Sequence, residues 1–145
     1  MSELAALDEF VYGLLSADAT VQSLCGGAPP ATRVYPDVAP EDVAMPAIVW
    51  QVQSPGQDTM ALGGVRVMTG PTLLVRAVDQ AQSWEGNLRS IADRIDALLH
   101  RASGPIGSGG EVYQLRRVSP WRLPEVANGV EYRHLGGLYA AWVAV

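Results

Sequence analysis

The chain has 145 residues, the length of one ordinary domain, and we expect a single domain over residues 1–145. Hydrophobic residues make up 48% and charged residues 17%, a composition that excludes global disorder. The net charge is -5 and every basic residue is arginine, so enzymes that use a Walker A lysine, a Schiff-base lysine or a Ser-Lys dyad are excluded.

Two amphipathic patterns open the chain. Apolar residues at steps of three and four predict a helix over residues 3–15, with Ser2 as its N-cap. Asp18 is the predicted cap of a second, short helix that ends at Leu24. Glycines 26 and 27 then stop this helix and begin a connector.

The middle of the chain predicts strands separated by proline and glycine. Expected strands are Arg33–Tyr35 and, from its alternation, Ala47–Ser54, with a proline-bounded loop over Pro40–Pro46 between them. A flexible loop over Pro55–Gly64 carries Met60 and Leu62. Two further β-rich runs, Val65–Met68 and Thr72–Val78, form either a hairpin or one strand broken by a bulge at Gly70-Pro71.

Residues 84–99 give the strongest helical pattern. Their apolar face predicts a helix capped by Ser83 and ended by Gly104-Pro105. Trp84 belongs to this face, and we expect Trp50, Trp84 and Trp142 in the core.

The last third of the chain predicts two strands around a loop. The strands are Glu111–Val118 and residues 130–145, and Gly136-Gly137 is a predicted bulge in the second. A glycine-rich turn over Gly104–Gly110 and a loop over Ser119–Gly129 complete this part. The closing LYAAWVAV is apolar on both faces, which is typical of a central strand under two layers or a strand covered by another chain.

This order of elements predicts an α+β fold. We expect a largely antiparallel sheet of about four or five strands with two main helices packed on one face. Two helices cannot cover both faces of such a sheet, so we expect some apolar strand surface to be left for a partner.

The histidines and the cysteine of the chain give little support for a catalytic or a metal-binding site. His100 is expected to interact with the C-terminal end of its helix, and His134 to form a surface pair with Glu131 and Arg133. The single cysteine, Cys25, excludes an intrachain disulfide and is expected to be buried. We therefore predict no enzyme activity, no metal and no cofactor.

Membrane and nucleic-acid partners are also not expected. No apolar stretch approaches the ~18 residues of a membrane span, and the first ten residues lack the pattern of a secretory signal. An acidic chain without a basic run is a poor candidate for binding a phosphate backbone.

Exposed apolar residues in loops point instead to protein contacts. We expect Met60 and Leu62 in one loop, and Trp121, Arg122 and Leu123 in another, to form protein interfaces. For Trp121 the alternative is that its side chain folds back onto the edge of its own sheet.

The arrangement of motifs resembles the tail-completion or tail-terminator proteins of long-tailed bacteriophages with non-contractile tails. The resemblance covers nearly the whole chain and is carried by its helices and strands, above all by RVYPDVAPEDVAMPAIVWQ. It implies a virion protein that forms a ring, commonly of six copies, on the head-proximal end of the tail tube. Such a ring ends tube polymerisation and joins the tail to the connector proteins of the head.

The resemblance also implies that the genomic DNA passes through the bore of the ring without specific binding. Six copies at -5 each would carry about -30, and an acidic bore would repel DNA in transit rather than bind it. Another neck component, such as a head-completion or adaptor protein, is the first alternative. A small α+β enzyme or ligand-binding domain is the second.

Overall fold

The computed structural model describes residues 2–80 and 83–145 as three helices and eight strands in one mixed α+β unit. The helices are α1 Glu3–Ser16, α2 Ala19–Leu24 and α3 Asn87–Leu99. The strands are β1 Val34–Pro36, β2 Ala47–Ser54, β3 Asp58–Met60, β4 Arg66–Thr69, β5 Thr72–Asp79, β6 Gly104–Pro105, β7 Glu111–Ala127 and β8 Val130–Ala144. The expectation of four or five strands and two main helices is therefore wrong in its counts, whereas the α+β class is confirmed.

The first two helices begin at the predicted caps. Ser2 Oγ accepts a hydrogen bond from the Ala5 N–H at 3.2 Å, and Asp18 Oδ2 accepts one from the Val21 N–H at 3.0 Å. Each side chain satisfies an N–H group that the first turn of a helix leaves without a partner.

One long antiparallel array forms the body of the sheet. β1 pairs with β2 in parallel, and β2, β5, β8 and β7 then follow side by side with antiparallel pairing. β8 is thus the central strand, flanked by β5 and β7, while β1 and β7 lie toward opposite edges. The short β6 pairs only with the start of β7.

A single apolar core lies between the helices and one face of this sheet. All three helices contribute buried side chains to it, so the short α2 belongs to the packing along with α1 and α3. Trp50 is its largest fully buried side chain. The buried residues of the cluster are Ala6, Leu7, Val11, Leu15, Val21, Cys25, Val34, Ile48, Trp50, Leu73, Val75, Ala77, Leu88, Ile91, Ile95, Leu99, Ile106, Val112, Leu115, Tyr139, Ala141 and Val143.

β4 and β5 lie end to end along the same side of β8. Thr69 pairs with Val143 and Thr72 with Ala140, so the register continues without a shift across Gly70-Pro71. Of the two predicted arrangements, one interrupted strand therefore agrees with the structure and the hairpin does not, although the interruption is not a bulge. Because proline has no N–H to donate, the ladder is interrupted at this point.

β7 is more than twice as long as predicted, and the expected loop over Ser119–Gly129 is wrong. It continues to Ala127 and pairs with β8 up to a two-residue turn at Asn128-Gly129. Both turn residues have positive φ, 52° and 77°, as a type I′ hairpin turn requires. The two prolines of the segment are tolerated because the outer side of β7 is a sheet edge there.

The predicted bulge at Gly136-Gly137 is also wrong. The register of β8 runs unbroken through both glycines, and the irregularities lie in β7, beside Tyr113 and Val118. Gly136 instead allows the backbones of β5 and β8 to approach closely, because a Cβ there would lie 2.0 Å from the Val75 carbonyl oxygen.

α3 begins three residues later than predicted. Gly86 is its N-cap residue and supplies no side-chain hydrogen bond, while Ser83 Oγ accepts from the Glu85 N–H at 3.1 Å and does not cap the helix. The buried face of Leu88, Ile91, Ile95 and Leu99 is confirmed. The helix ends before His100, and Gly104-Pro105 forms β6 rather than the helix end.

Candidate interaction surfaces

The expected flexible loop over Pro55–Gly64 contains a strand and is part of a β-hairpin. β3 pairs with β4, and β4 joins the rest of the sheet only at Thr69. The hairpin therefore projects from the body of the sheet. Leu62 at its tip is as exposed as a free side chain, at 103%, and Met60 is 56% exposed. Val65 and Val67 extend the same apolar tip, and both are exposed.

The second predicted interface divides between the two faces of β7. Trp121 pairs with Gly136 and Leu123 with His134, which places both side chains on the sheet face opposite the helices, called here the far face. Successive side chains of a strand point to opposite faces, so Arg122 lies on the helix side of β7. Its guanidinium is there 5.0 Å from the centre of the Trp84 ring. Trp121 is half-buried and Leu123 is exposed.

A polar network occupies the far face beside Trp121. The Arg76 Nε–H donates to His134 Nδ1 at 3.2 Å, and an Arg76 terminal N–H donates to Gln51 Oε1 at 3.1 Å. On the other side of the imidazole, His134 Nε2 lies 2.8 Å from Glu125 Oε2. Since Nδ1 accepts from Arg76, the ring is neutral with its proton on Nε2, which donates to Glu125.

The electrostatics of this network follow from burial. Burial lowers the pKa of His134, and the nearby Arg76 charge lowers it further, whereas the hydrogen bond to Glu125 acts in the opposite direction. Burial likewise lowers the pKa of the Arg76 guanidinium. The expected surface pairing of His134 with Glu131 and Arg133 is wrong, because those two residues pair with each other at 2.8 Å.

Trp121 packs onto this network. Its ring and that of His134 meet edge to face with centroids 6.4 Å apart, and the Arg76 guanidinium lies 5.9 Å from the Trp121 centroid. With Leu74 and Leu123, these side chains line a shallow groove of about 270 Å³. Trp121 is thus anchored on its own sheet and presents its remaining surface outward.

The other tryptophans differ in burial. Trp50 is buried in the core as predicted, and its Nε1–H donates to Asp8 Oδ1 at 2.9 Å. Trp84 is half-buried beside the guanidiniums of Arg122 and Arg133. Trp142 is 40% exposed, so its expected core position is wrong. β8 is apolar on both faces, but Trp142 points away from the buried Ala141 and Val143.

The remaining candidates have structural contacts. His100 follows α3, and its Nδ1 accepts a hydrogen bond from the Arg117 N–H at 3.0 Å. Cys25 is buried, and burial raises the pKa of its thiol to about 11. Within residues 2–80 and 83–145, no three His, Cys, Asp or Glu side chains are grouped to hold a metal ion. The helices in those ranges are all too short or too polar to span a bilayer.

Comparison with known proteins assigns this chain to a family. Residues 9–125 match the family model described as "Tail completion protein gp17". The chain belongs to the tail completion protein family. Membership places it among the structural proteins of the bacteriophage tail, and hence in the virion. No curated protein matches the sequence.

Solved structures share the fold across its whole length. A chain from the virion of a native gene transfer agent particle aligns with a TM-score of 0.70 at 18% identity, over 99% of this chain and 98% of that one. A second solved structure aligns with a TM-score of 0.60 at 14% identity, over 100% of this chain and 97% of the other. At such identities the likeness concerns the fold.

Proposed function

We propose that six copies of this tail completion protein form a ring on the head-proximal end of the tail tube. The ring ends tube polymerisation and provides the surface to which the connector proteins of the filled head attach. The family match over residues 9–125 carries this proposal. The role is structural and involves no catalysis.

A protein that joins two assemblies needs two separate contact surfaces, and β8 separates two candidates. Thr69 at the base of the β3–β4 hairpin pairs with Val143, near one end of β8. The tip of the β7–β8 hairpin lies at the other end, where Val126 pairs with Glu131. Twelve residues of extended chain separate the two ends by about 40 Å.

The β3–β4 hairpin is the proposed contact with the tube protein. A two-stranded hairpin on its own has marginal stability, and this one exposes Met60 and Leu62 rather than burying them against the body. Docking on a tube subunit would bury both side chains. At roughly 25 cal/mol per Å² of apolar surface removed from water, two such side chains contribute several kcal/mol to a contact.

Trp121, Arg122 and Leu123 belong to the proposed contacts with neighbouring neck proteins. Trp121 is held by Arg76 and His134, so little side-chain freedom is lost when it is covered. A pre-ordered tryptophan beside an exposed leucine has the composition of an interface hot spot. The genome passes through the bore without specific binding, because the ring carries a net negative charge.

A tube-assembly assay tests the function. The tube protein encoded with this chain is polymerised alone and with increasing amounts of the chain, and tube lengths are measured by electron microscopy. We expect shorter tubes, each with the chain at one end. Tubes of unchanged length without bound chain would contradict a terminator role, and binding to head connectors alone would favour another neck component.

The hairpin contact is tested in the same assay with Met60→Ser and Leu62→Ser together. Both side chains are exposed, so we expect the thermal unfolding temperature to be unchanged and tube capping to be lost. Val126→Ser is the matched control, because Val126 is also exposed but lies at the opposite end of β8. Full capping by the double variant would contradict the assignment of this hairpin.

A further inference from the structure

The Arg76 guanidinium on the far face is half-buried, and none of the described carboxylates forms an ion pair with it. Its Nε–H donates to His134 and one terminal N–H donates to Gln51, so both acceptors are neutral groups. The other donors of the guanidinium have no acceptor within residues 2–80 and 83–145. A half-buried cation thus keeps free hydrogen-bond donors.

Glu125 supplies only part of the countercharge for Arg76. Its carboxylate lies 2.8 Å from His134 Nε2, and its side chain is 45% exposed, so water screens its charge. Glu125 raises the pKa of Arg76, but burial has the larger effect and lowers it. A buried cation is costly unless a contacting anion compensates its charge, so this site favours a further anion.

The free donors of Arg76 open onto the groove of about 270 Å³ beside Trp121. Arg76 lines this groove, and its unpartnered terminal nitrogen is not fully buried. The Trp121 ring centre lies 5.9 Å from the guanidinium, and Leu74 and Leu123 form apolar walls. An anion in the groove would therefore meet the guanidinium beside apolar surface that reduces its contact with water.

A carboxylate matches the chemistry of this groove. The planar fork of an arginine binds both oxygens of a carboxylate, and the pair is stronger where water is excluded. A DNA backbone matches it less well. The groove holds one arginine beside a glutamate in a chain of net charge -5, whereas DNA-binding surfaces neutralise several phosphates.

We infer that this groove binds an aspartate or glutamate side chain of the neck protein that covers Trp121. The inference rests on the proposed function and names the chemistry of that partner. Leu123 is 44% exposed and also lines the groove, so an apolar residue next to the carboxylate would cover it. Tryptophan and arginine side by side are the residues most often found at the centre of an interface.

Fluorine NMR of the protein labelled with fluorotryptophan tests the inference. The probe is the capped peptide acetyl-Leu-Asp-Leu-amide, and acetyl-Leu-Asn-Leu-amide is its uncharged control. We expect the Trp121 signal to shift saturably with the aspartate peptide, at a dissociation constant on the order of 1 mM. The asparagine peptide should bind at least about tenfold more weakly. Trp50 in the core and Trp142 outside the groove are internal controls.

Arginine variants show whether Arg76 is the binding group. Arg76→Gln should abolish binding of the aspartate peptide, and Arg76→Lys should weaken it because lysine keeps the charge without the planar fork. Arg116→Gln is the matched control, because Arg116 pairs with Ala140 and is exposed outside the groove. It should bind the peptide like the wild type. Thermal melts show whether each variant keeps the fold, and the wild-type titration tests the inference without any variant.

The outcomes identify the source of the anion. Equal binding of the two peptides, or binding of neither, by the wild type overturns the carboxylate site. A Trp121 shift with inorganic phosphate as large as that with the aspartate peptide overturns the choice of a carboxylate. If Arg76→Gln keeps its fold but no longer forms the rings that the wild type forms, a second copy is the partner and the neck-protein assignment is overturned.

The same measurements separate this inference from the function on which it rests. A wild type that caps tubes but binds no aspartate peptide overturns the carboxylate site alone. A wild type that binds the peptide selectively but neither forms rings nor caps tubes supports the carboxylate site and overturns the terminator role.

Discussion

The Arg76 Nε–H donates a hydrogen bond to His134 Nδ1 at 3.2 Å, across the neighbouring strands β5 and β8. This bond exists only while Nδ1 is unprotonated. Protonation of the ring would place two cations in contact on a largely buried site. Protein stability is therefore linked to the protonation of His134.

The first prediction concerns this linkage. Burial lowers the pKa of His134 in the folded state below its ordinary 6.5, so the unfolded chain binds the proton more readily. The contribution is fully present above pH 6.5 and is lost as the pH falls toward the folded-state pKa. Between about pH 7.5 and about pH 5.5 we expect the unfolding temperature of the wild type to fall more than that of His134→Gln.

Glutamine suits this comparison because its amide can accept from Arg76 and donate to Glu125 without titrating. Calorimetry of both proteins across the pH range measures the effect. Parallel pH profiles for wild type and variant would contradict the linkage.

A second prediction concerns the buried indole of Trp50. Its N–H has Asp8 as acceptor at 2.9 Å, and the side chain is 1% exposed. Asp8→Ala leaves the donor unpaired, and we expect the free energy of unfolding to fall by about 1–3 kcal/mol. Asp8→Asn keeps a carbonyl acceptor and should lose less. Urea unfolding distinguishes the two, and equal losses would show that the acceptor is unimportant.

Two glycines of opposite behaviour give a third prediction. A Cβ at Gly136 would meet backbone atoms of β5 at 2.0 and 2.6 Å, so Gly136→Ala must force the strands apart and should cost about 3 kcal/mol. Gly13 is exposed in α1 with no atom within 4 Å of its added Cβ. Gly13→Ala should stabilise the protein by about 0.5–1 kcal/mol. Denaturant midpoints that shift in the same direction for both variants would contradict this prediction.

The fourth prediction compares two arginines of α3. Arg94 binds both oxygens of Asp18, whose side chain is 8% exposed, whereas Arg89 pairs with Glu85, whose side chain is 69% exposed. The hydrogen bonds from Arg94 lower the pKa of Asp18 and outweigh the effect of burial. This stabilisation is present above pH 3.8 and is lost as the pH falls below that value.

At neutral pH we expect Arg94→Ala to lower the unfolding temperature and Arg89→Ala to leave it nearly unchanged, because exposed pairs contribute little. Thermal melts followed by circular dichroism provide the measurement. Equal shifts of the unfolding temperature for the two variants would indicate that the burial of the paired carboxylate does not determine how much an ion pair stabilises the protein.

Local patterns predicted much of the helical part of the fold. Capping side chains at Ser2 and Asp18 lie next to the helices they begin, so sequence spacing suffices to find them. The predicted loop differs from the observed hairpin of β7 and β8 because its two prolines disfavour a strand, whereas Asn128-Gly129 is the dipeptide that most favours a two-residue hairpin turn. Recognising that turn would have placed Trp121 and Leu123 on a strand.

The polar network was beyond sequence reasoning for a different reason. Arg76 is 58 positions from His134, and the two meet only because β5 pairs with β8 in one particular register. Glu125 reaches His134 only because β7 extends to Ala127. Contacts across strands depend on pairing and register, which a single sequence does not specify.

Ring formation is the central claim, and the mass of the purified protein in solution tests it most directly. Light scattering over a range of concentrations, with negative-stain microscopy of the same samples, gives both copy number and shape. We expect closed rings with a central hole and six times the 15.4 kDa chain mass. A monomer at every concentration, or open filaments without closure, would contradict it.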